Sequence, residues 1–171
     1  MVLLFVKVRR HASLAALGLR RVEWRWLVAA LPFTSAAFIL ESITGRLSQS
    51  LFPQTPENQC QSIRSGYEVL WLAVIGVAVI APLVEEIVFR GMIFGWLRGR
   101  VPIVWAVLIS AALFSLAHIG FLQLTLFLPV FSAGLLLAVL YNHARSLWPN
   151  VIVHGAFNLI GLLVLFSAPA C

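Results

Sequence analysis

The 171-residue sequence contains no aspartate, and its acidic side chains are six glutamates: Glu23, Glu41, Glu57, Glu68, Glu85 and Glu86. The missing aspartate excludes an aspartyl intramembrane protease. There is no HExxH, so the usual zinc protease helix is missing. No GxSxG or other serine nucleophile motif appears. The two cysteines, Cys60 and Cys171, are too few and too far apart for a Cys-based metal site. They are expected as free thiols, with a disulfide as the alternative if both face an oxidising side. The opening MVLLFV is too short for a signal-peptide core, and a basic cluster follows it instead of preceding it, so no cleavable signal is expected. Charge itself is scarce: 11% of residues, where a soluble domain carries about a quarter.

What fills the chain instead is apolar: 61% of residues, with a mean hydropathy of +0.99. Several stretches approach or exceed the length of a membrane span. The expectation is an all-α, polytopic transmembrane helical bundle in a single domain. Five spans are placed at about 26–44, 67–97, 101–118, 122–141 and 149–167, with a polar loop at 45–66. The second is too long for one straight span, and Pro82 is its expected kink. Residues 1–25 form a basic N-terminal segment, of which 7–25 can lie on the membrane surface as an interfacial helix. Residues 26–171 form the transmembrane domain. Trp148-Pro149 reads as an interfacial anchor and helix start. Gly91 and Gly95 read as close helix packing. His11 and His143 read as solvated surface.

The formal charge of +6 comes from eleven arginines and one lysine. In so apolar a chain it points to topology and anionic lipid, not to nucleic acid. With the N-terminus in the cytosol, nine basic residues fall inside, among them Lys7, Arg20, Arg98, Arg100 and Arg145. Arg46 and Arg64 fall outside. The positive-inside rule therefore favours an N-in, C-out arrangement.

An ionisable residue within a span costs about 2.5–3.5 kcal/mol on insertion scales. Three stretches carry that cost: EEIVFR (Glu85, Glu86, Arg90), FSLAH (Phe114 to His118) and HGAFN (His154 to Asn158). Glu86 and Arg90 are four residues apart, share a helix face and can pair. Glu85 points about 100° away and is free of that pair. Such a carboxylate is suited to act as a general base on water. His154 and Asn158, also four apart, present two side-chain donors to one spot, as an oxyanion site requires.

In order, these stretches match EExxxR, FxxxH and HxxxN, and over about 67–165 the chain resembles the CAAX protease and bacteriocin-processing (CPBP, or Abi) family of glutamic-type intramembrane endopeptidases. The resemblance implies that Glu85 activates water and His118 helps to orient it. It implies that Glu86 and Arg90 hold the helix, and that His154 and Asn158 form the oxyanion site. It also implies a substrate protein or peptide with a hydrophobic or lipidated terminal segment: CAAX-like, a bacteriocin leader or a C-terminal sorting tail. The setting it implies is a prokaryotic plasma membrane. No cofactor is expected, since a carboxylate-activated water needs no metal. The rival is zinc on Glu85, His118 and His154 with an open fourth position. The rival from another class is a non-catalytic scaffold or self-immunity protein of the same fold, its polar residues serving as interhelical contacts.

One tension remains within this reading. Straight helices starting at one membrane face place Glu85 and His118 about 20–25 Å from it, and His154 only about 8 Å. Breaks, tilt or a water-filled cavity are needed to bring them together.

Overall fold

A computed structural model describes residues 14–53, 70–119 and 124–167. Among these, regular structure is entirely helical. Five helices carry the fold: α1 (Trp24–Leu51), α2 (Trp71–Leu97), α3 (Ile103–His118), α4 (Phe127–Ala144, entered through a 3₁₀ turn at Leu124–Leu126) and α5 (Trp148–Ser167). The all-α bundle expected from composition is the fold observed. Cys60, Cys171, His11 and residues 7–13 lie outside the described residues.

Four of the five helices are long and apolar enough to cross a membrane; α3, with 16 residues, is the exception. At 1.5 Å per residue it is about 24 Å long, short of the ~30 Å hydrocarbon core. The five spans expected are thus four full-length helices and one shorter apolar helix. The side chains are arranged for lipid. Large apolar residues such as Leu31, Ile39, Val79, Val104 and Val164 point outward, while Glu86, Arg90, Ser115 and Asn150 are fully buried. Several hydroxyl groups are satisfied internally, as lipid demands. Ser115 Oγ donates to the Phe127 carbonyl (2.7 Å) and Ser110 Oγ to that of Phe89 (3.2 Å), tying α3 to α4 and α2.

Short connections make α2, α3, α4 and α5 alternate in direction. α1 runs antiparallel to α4, because Trp26 lies beside His143 and the Thr44 hydroxyl is 3.3 Å from that of Ser132. One end of the bundle therefore collects Trp24, Trp96, Trp105 and Trp148, all exposed, together with Arg20, Arg25, Arg98, Arg100 and Arg145. That is the composition of a basic membrane interface.

The second span does not break at Pro82. α2 continues through it because two widened segments, Val74–Ile80 and Ile87–Phe94, flank the α-helical turn Ala81–Glu86. In the first, the Ala81 N–H donates to Gly76, five residues back. Such π-type turns relieve local misfit and recur at functional sites. Pro82 has no N–H to give, so a carbonyl of the preceding turn loses its donor. Asn158 Nδ2 from α5 supplies one, to the Val77 carbonyl, at 2.9 Å. The neighbouring Ala78 carbonyl packs onto Gly155 of α5. A Cβ there would stand 2.6 Å from its oxygen, so glycine permits the close approach.

The N-terminal segment also differs from a helix lying on lipid. Its described part is a 3₁₀ turn, Leu14–Leu17, followed by non-helical chain. Leu17 is buried against Ile87, Phe94 and Leu147. The Leu147 N–H donates to the Gly18 carbonyl (2.9 Å), and Ser146 Oγ to that of Arg20 (2.8 Å). Gly91 accordingly faces the Leu17 backbone, not a neighbouring helix. Trp148 is exposed, as an interfacial anchor should be, but Ser146, Leu147, Pro149 and Asn150 are fully buried beside it. α5 thus starts inside the protein body, roofed by the N-terminal segment. That raises His154 to the level of Glu85 and removes the mismatch in depth.

Gly155→Ala should lower the melting temperature of the detergent-solubilised protein by several degrees, a cost of about 1–3 kcal/mol for overpacking. Gly161→Ala, whose Cβ meets nothing within 4 Å, should leave the melting temperature near wild type. Equal melting of the two variants would contradict the α2–α5 packing described.

Candidate active site

Glu86 is the hub of a buried cluster. Its Oε1 accepts from Arg90 Nη1 (2.9 Å) and faces His154 Nδ1 (3.0 Å), and its Oε2 accepts from Asn150 Nδ2 (3.0 Å). Glu86, Arg90 and Asn150 are wholly buried. Helix geometry brings Glu86 and Arg90 together along α2, and α5 delivers Asn150 and His154 four residues apart on one face. Two further donors of the cluster reach backbone: Arg90 Nη2 to the Gly134 carbonyl (3.3 Å) and Asn150 Nδ2 also to that of Leu137 (2.7 Å); Arg90 Nε and Asn150 Oδ1 are buried without a hydrogen-bond partner. A paired, multiply hydrogen-bonded carboxylate meets the condition under which a buried ion pair is tolerated.

Phe114 closes this cluster from α3. Its ring lies 4.2 Å from the Arg90 guanidinium carbon, a cation–π distance. Its centroid is 4.6 Å from that of His118 and 5.8 Å from that of His154. The Phe114 carbonyl also contacts His118 Nδ1 at 2.7 Å.

These contacts fix both imidazole tautomers. A carbonyl oxygen only accepts, so His118 Nδ1 carries a proton. The Glu86 carboxylate is paired with Arg90, so His154 Nδ1 donates to it in the same way. The two Nε2 atoms are thereby left to face the same partner. Glu85 Oε2 is 3.5 Å from His118 Nε2 and 3.6 Å from His154 Nε2. It makes no shorter hydrogen bond. Bare lone pairs do not face one another across 3.5 Å, so a proton, or a donor such as water, is needed between the carboxylate and these rings. The three groups are partly accessible, with side-chain exposures of 25% for Glu85, 32% for His118 and 9% for His154.

They open onto a cavity of about 450 Å³ enclosed by α1, α2, α3, α4 and α5. Its wall is mainly apolar, with Val77, Ala81, Leu126, Val130 and Phe157 among the lining residues. Volume and lining are those of a site for an apolar ligand held by a few polar groups.

All six residues singled out in the sequence come within one region, but in two layers. Glu85, His118, His154 and Asn158 line the cavity; Glu86 and Arg90 lie behind it. His154 and Asn158 do not aim their bonded donors at one spot. His154 Nδ1 goes to Glu86, and Asn158 Nδ2 spends one hydrogen on the Val77 carbonyl. Asn150 escapes the three-motif reading, although Asn150, His154 and Asn158 repeat at four-residue intervals along an apolar helix. That stripe was the available signal. A three-ligand zinc site would use the same Glu85, His118 and His154; among the described residues no His, Cys, Asp or Glu group is arranged to hold a metal.

The profile of the family described as "Type II CAAX prenyl endopeptidase Rce1-like" matches residues 67–160. The chain is 28% identical over 123 residues to "Putative membrane peptidase YdiL" of Bacillus subtilis, covering 71% of this chain and 49% of that protein. It is 29% identical over 136 residues to "UPF0177 protein YxdF" of Lactococcus lactis, covering 80% and 73%. It is 36% identical over 98 residues to "Membrane-embedded CAAX protease MroQ" of Staphylococcus aureus, covering 53% and 37%. The chain thus spans about half the length of YdiL and less of MroQ. No solved structure gives a significant match.

Arg90→Met strands the Glu86 carboxylate in the core and should cost about 3–5 kcal/mol. Asn158→Leu, which leaves the Val77 carbonyl without its donor, should cost about 1–3 kcal/mol. Denaturant titration in micelles measures both. An Arg90→Met midpoint at the wild-type position would contradict the role given to the ion pair.

Proposed function

The chain belongs to the type II CAAX prenyl endopeptidase Rce1-like family, and we propose that it hydrolyses a peptide bond in a membrane-associated protein or peptide by direct attack of a Glu85-activated water. The observation that carries this reading is the convergence of Glu85 Oε2 with two tautomer-fixed imidazoles on the wall of an apolar cavity.

In this mechanism a water sits between Glu85 and His118 Nε2. Glu85 removes one of its protons as the oxygen attacks the substrate carbonyl. His154, with Nδ1 already donating to Glu86, acts as an imidazolium and offers Nε2–H to the developing oxyanion. The second hydrogen of Asn158 Nδ2 is available for the same oxygen. Glu85 then returns its proton to the leaving amine as the C–N bond breaks. No acyl-enzyme forms and no metal is required.

The apolar cavity suits a hydrophobic or lipidated terminal segment as substrate. The end rich in Arg and Trp faces the cytosol in this reading. The relatives named above are bacterial, which favours a bacterial membrane over a eukaryotic one.

Mass-spectrometric mapping of protein termini in membranes from cells carrying wild type or Glu85→Gln tests the proposal. Termini present only with wild type are expected, and they identify the substrate. If the two maps coincide while Glu85→Gln still rescues a deletion phenotype, the protein is a scaffold and the hydrolytic reading fails.

A further inference from the structure

α1 carries an ionisable side chain that the chemistry above does not use. Glu41 is half-buried in the middle of a span-length helix. Its backbone carbonyl is approached by the Thr44 hydroxyl, but its carboxyl has no hydrogen-bond or ion-pair partner among the described residues. Such a group in a span is costly enough to call for a partner or a role.

Its position supplies one. Glu41 lines the same cavity as Glu85, His118 and His154. It also lines a second, outer cavity of about 390 Å³, shared through Leu126 and Pro129 and bordered by Thr125, Arg46 and Gln49. It therefore stands at the junction of the two, where the α1–α4 face opens toward the catalytic groups. Among the described residues, no lysine or arginine lines the inner cavity. Arg90 is committed to Glu86 behind it. Arg46 borders the outer cavity but not the inner one, and forms no ion pair with Glu41 among the described residues. At the Glu41 end, away from His118 and His154, the wall facing an incoming peptide is thus apolar apart from one carboxyl.

We propose that Glu41 is a cation-accepting subsite, which pairs with a lysine or arginine side chain of an otherwise apolar substrate segment and sets its register against Glu85. The proposal rests on the endopeptidase reading for the identity of the occupant. A carboxylate met by a cation in this cavity loses its unpaired status, and a substrate carrying an acidic residue at that point meets like charge.

The test uses the full-length protein in lipid nanodiscs and labelled apolar peptides identical except for one central Lys, Gln or Glu. Binding and cleavage are both read. Wild type is expected to bind the Lys peptide at least about tenfold more tightly than the Glu peptide. Glu41→Gln should shrink that ratio to about threefold or less, and Glu41→Lys should invert it. A purely structural role for Glu41 would weaken all three peptides together and leave the ratio in place, which overturns the proposal. So does an absence of preference in wild type, a result that needs no variant to fold. If wild type selects the Lys peptide but cleaves none, the endopeptidase reading fails while the subsite stands. If it cleaves all three alike, the subsite fails while the endopeptidase reading stands.

Discussion

The structure depends on one buried ion pair. Glu86 and Arg90 meet at 2.9 Å with no exposure at all, and in an apolar bundle such a pair needs further hydrogen bonds to offset its desolvation. Supplying them recruits the rest of the molecule. Asn150 and His154 come from α5, the Gly134 carbonyl from α4, and the Phe114 ring from α3. Four helices are therefore fixed around one carboxylate. The groups available for chemistry, Glu85 and the two Nε2 atoms, inherit their positions from that arrangement. Glu86 and Glu85 are neighbours in sequence with opposite assignments: one is saturated with donors, the other is left short of them.

A second constraint comes from Pro82. Removing one N–H in the middle of α2 leaves carbonyl oxygens that lipid cannot satisfy. The chain answers with widened turns within α2 and with Asn158 and Gly155 from α5. Cavity-lining and structural duties are thereby merged on one face of α5. Asn158 lines the cavity and also repairs the backbone of the helix opposite.

Much of the site was legible because each motif follows a helical interval. Glu86 to Arg90, Phe114 to His118 and His154 to Asn158 are all i, i+4 pairs, and rare polar residues stand out in an apolar background. What was not legible is how the helices are offset. The depth of His154 depends on the segment Leu17–Arg20 packing against the α4–α5 turn, through bonds to the Gly18 and Arg20 carbonyls that leave no mark in residue pattern. The length of α3 could be counted, but not the consequence that its last residue, His118, stops level with Glu85. Asn150 was visible as part of a four-residue stripe, yet its partner is a carboxylate on another helix, and single-chain periodicity cannot pair residues across helices.

The central claim is that protein groups alone, arranged by the Glu86 cluster, activate water at Glu85. The most direct measurement is cleavage of an identified substrate by purified protein after metal stripping, comparing wild type with Glu85→Gln. The account predicts that stripped wild type retains full activity and that Glu85→Gln loses at least about a hundredfold, the scale of general-base catalysis. Activity that vanishes on stripping and returns with added metal, or a Glu85→Gln variant that cuts at the wild-type rate, would contradict it.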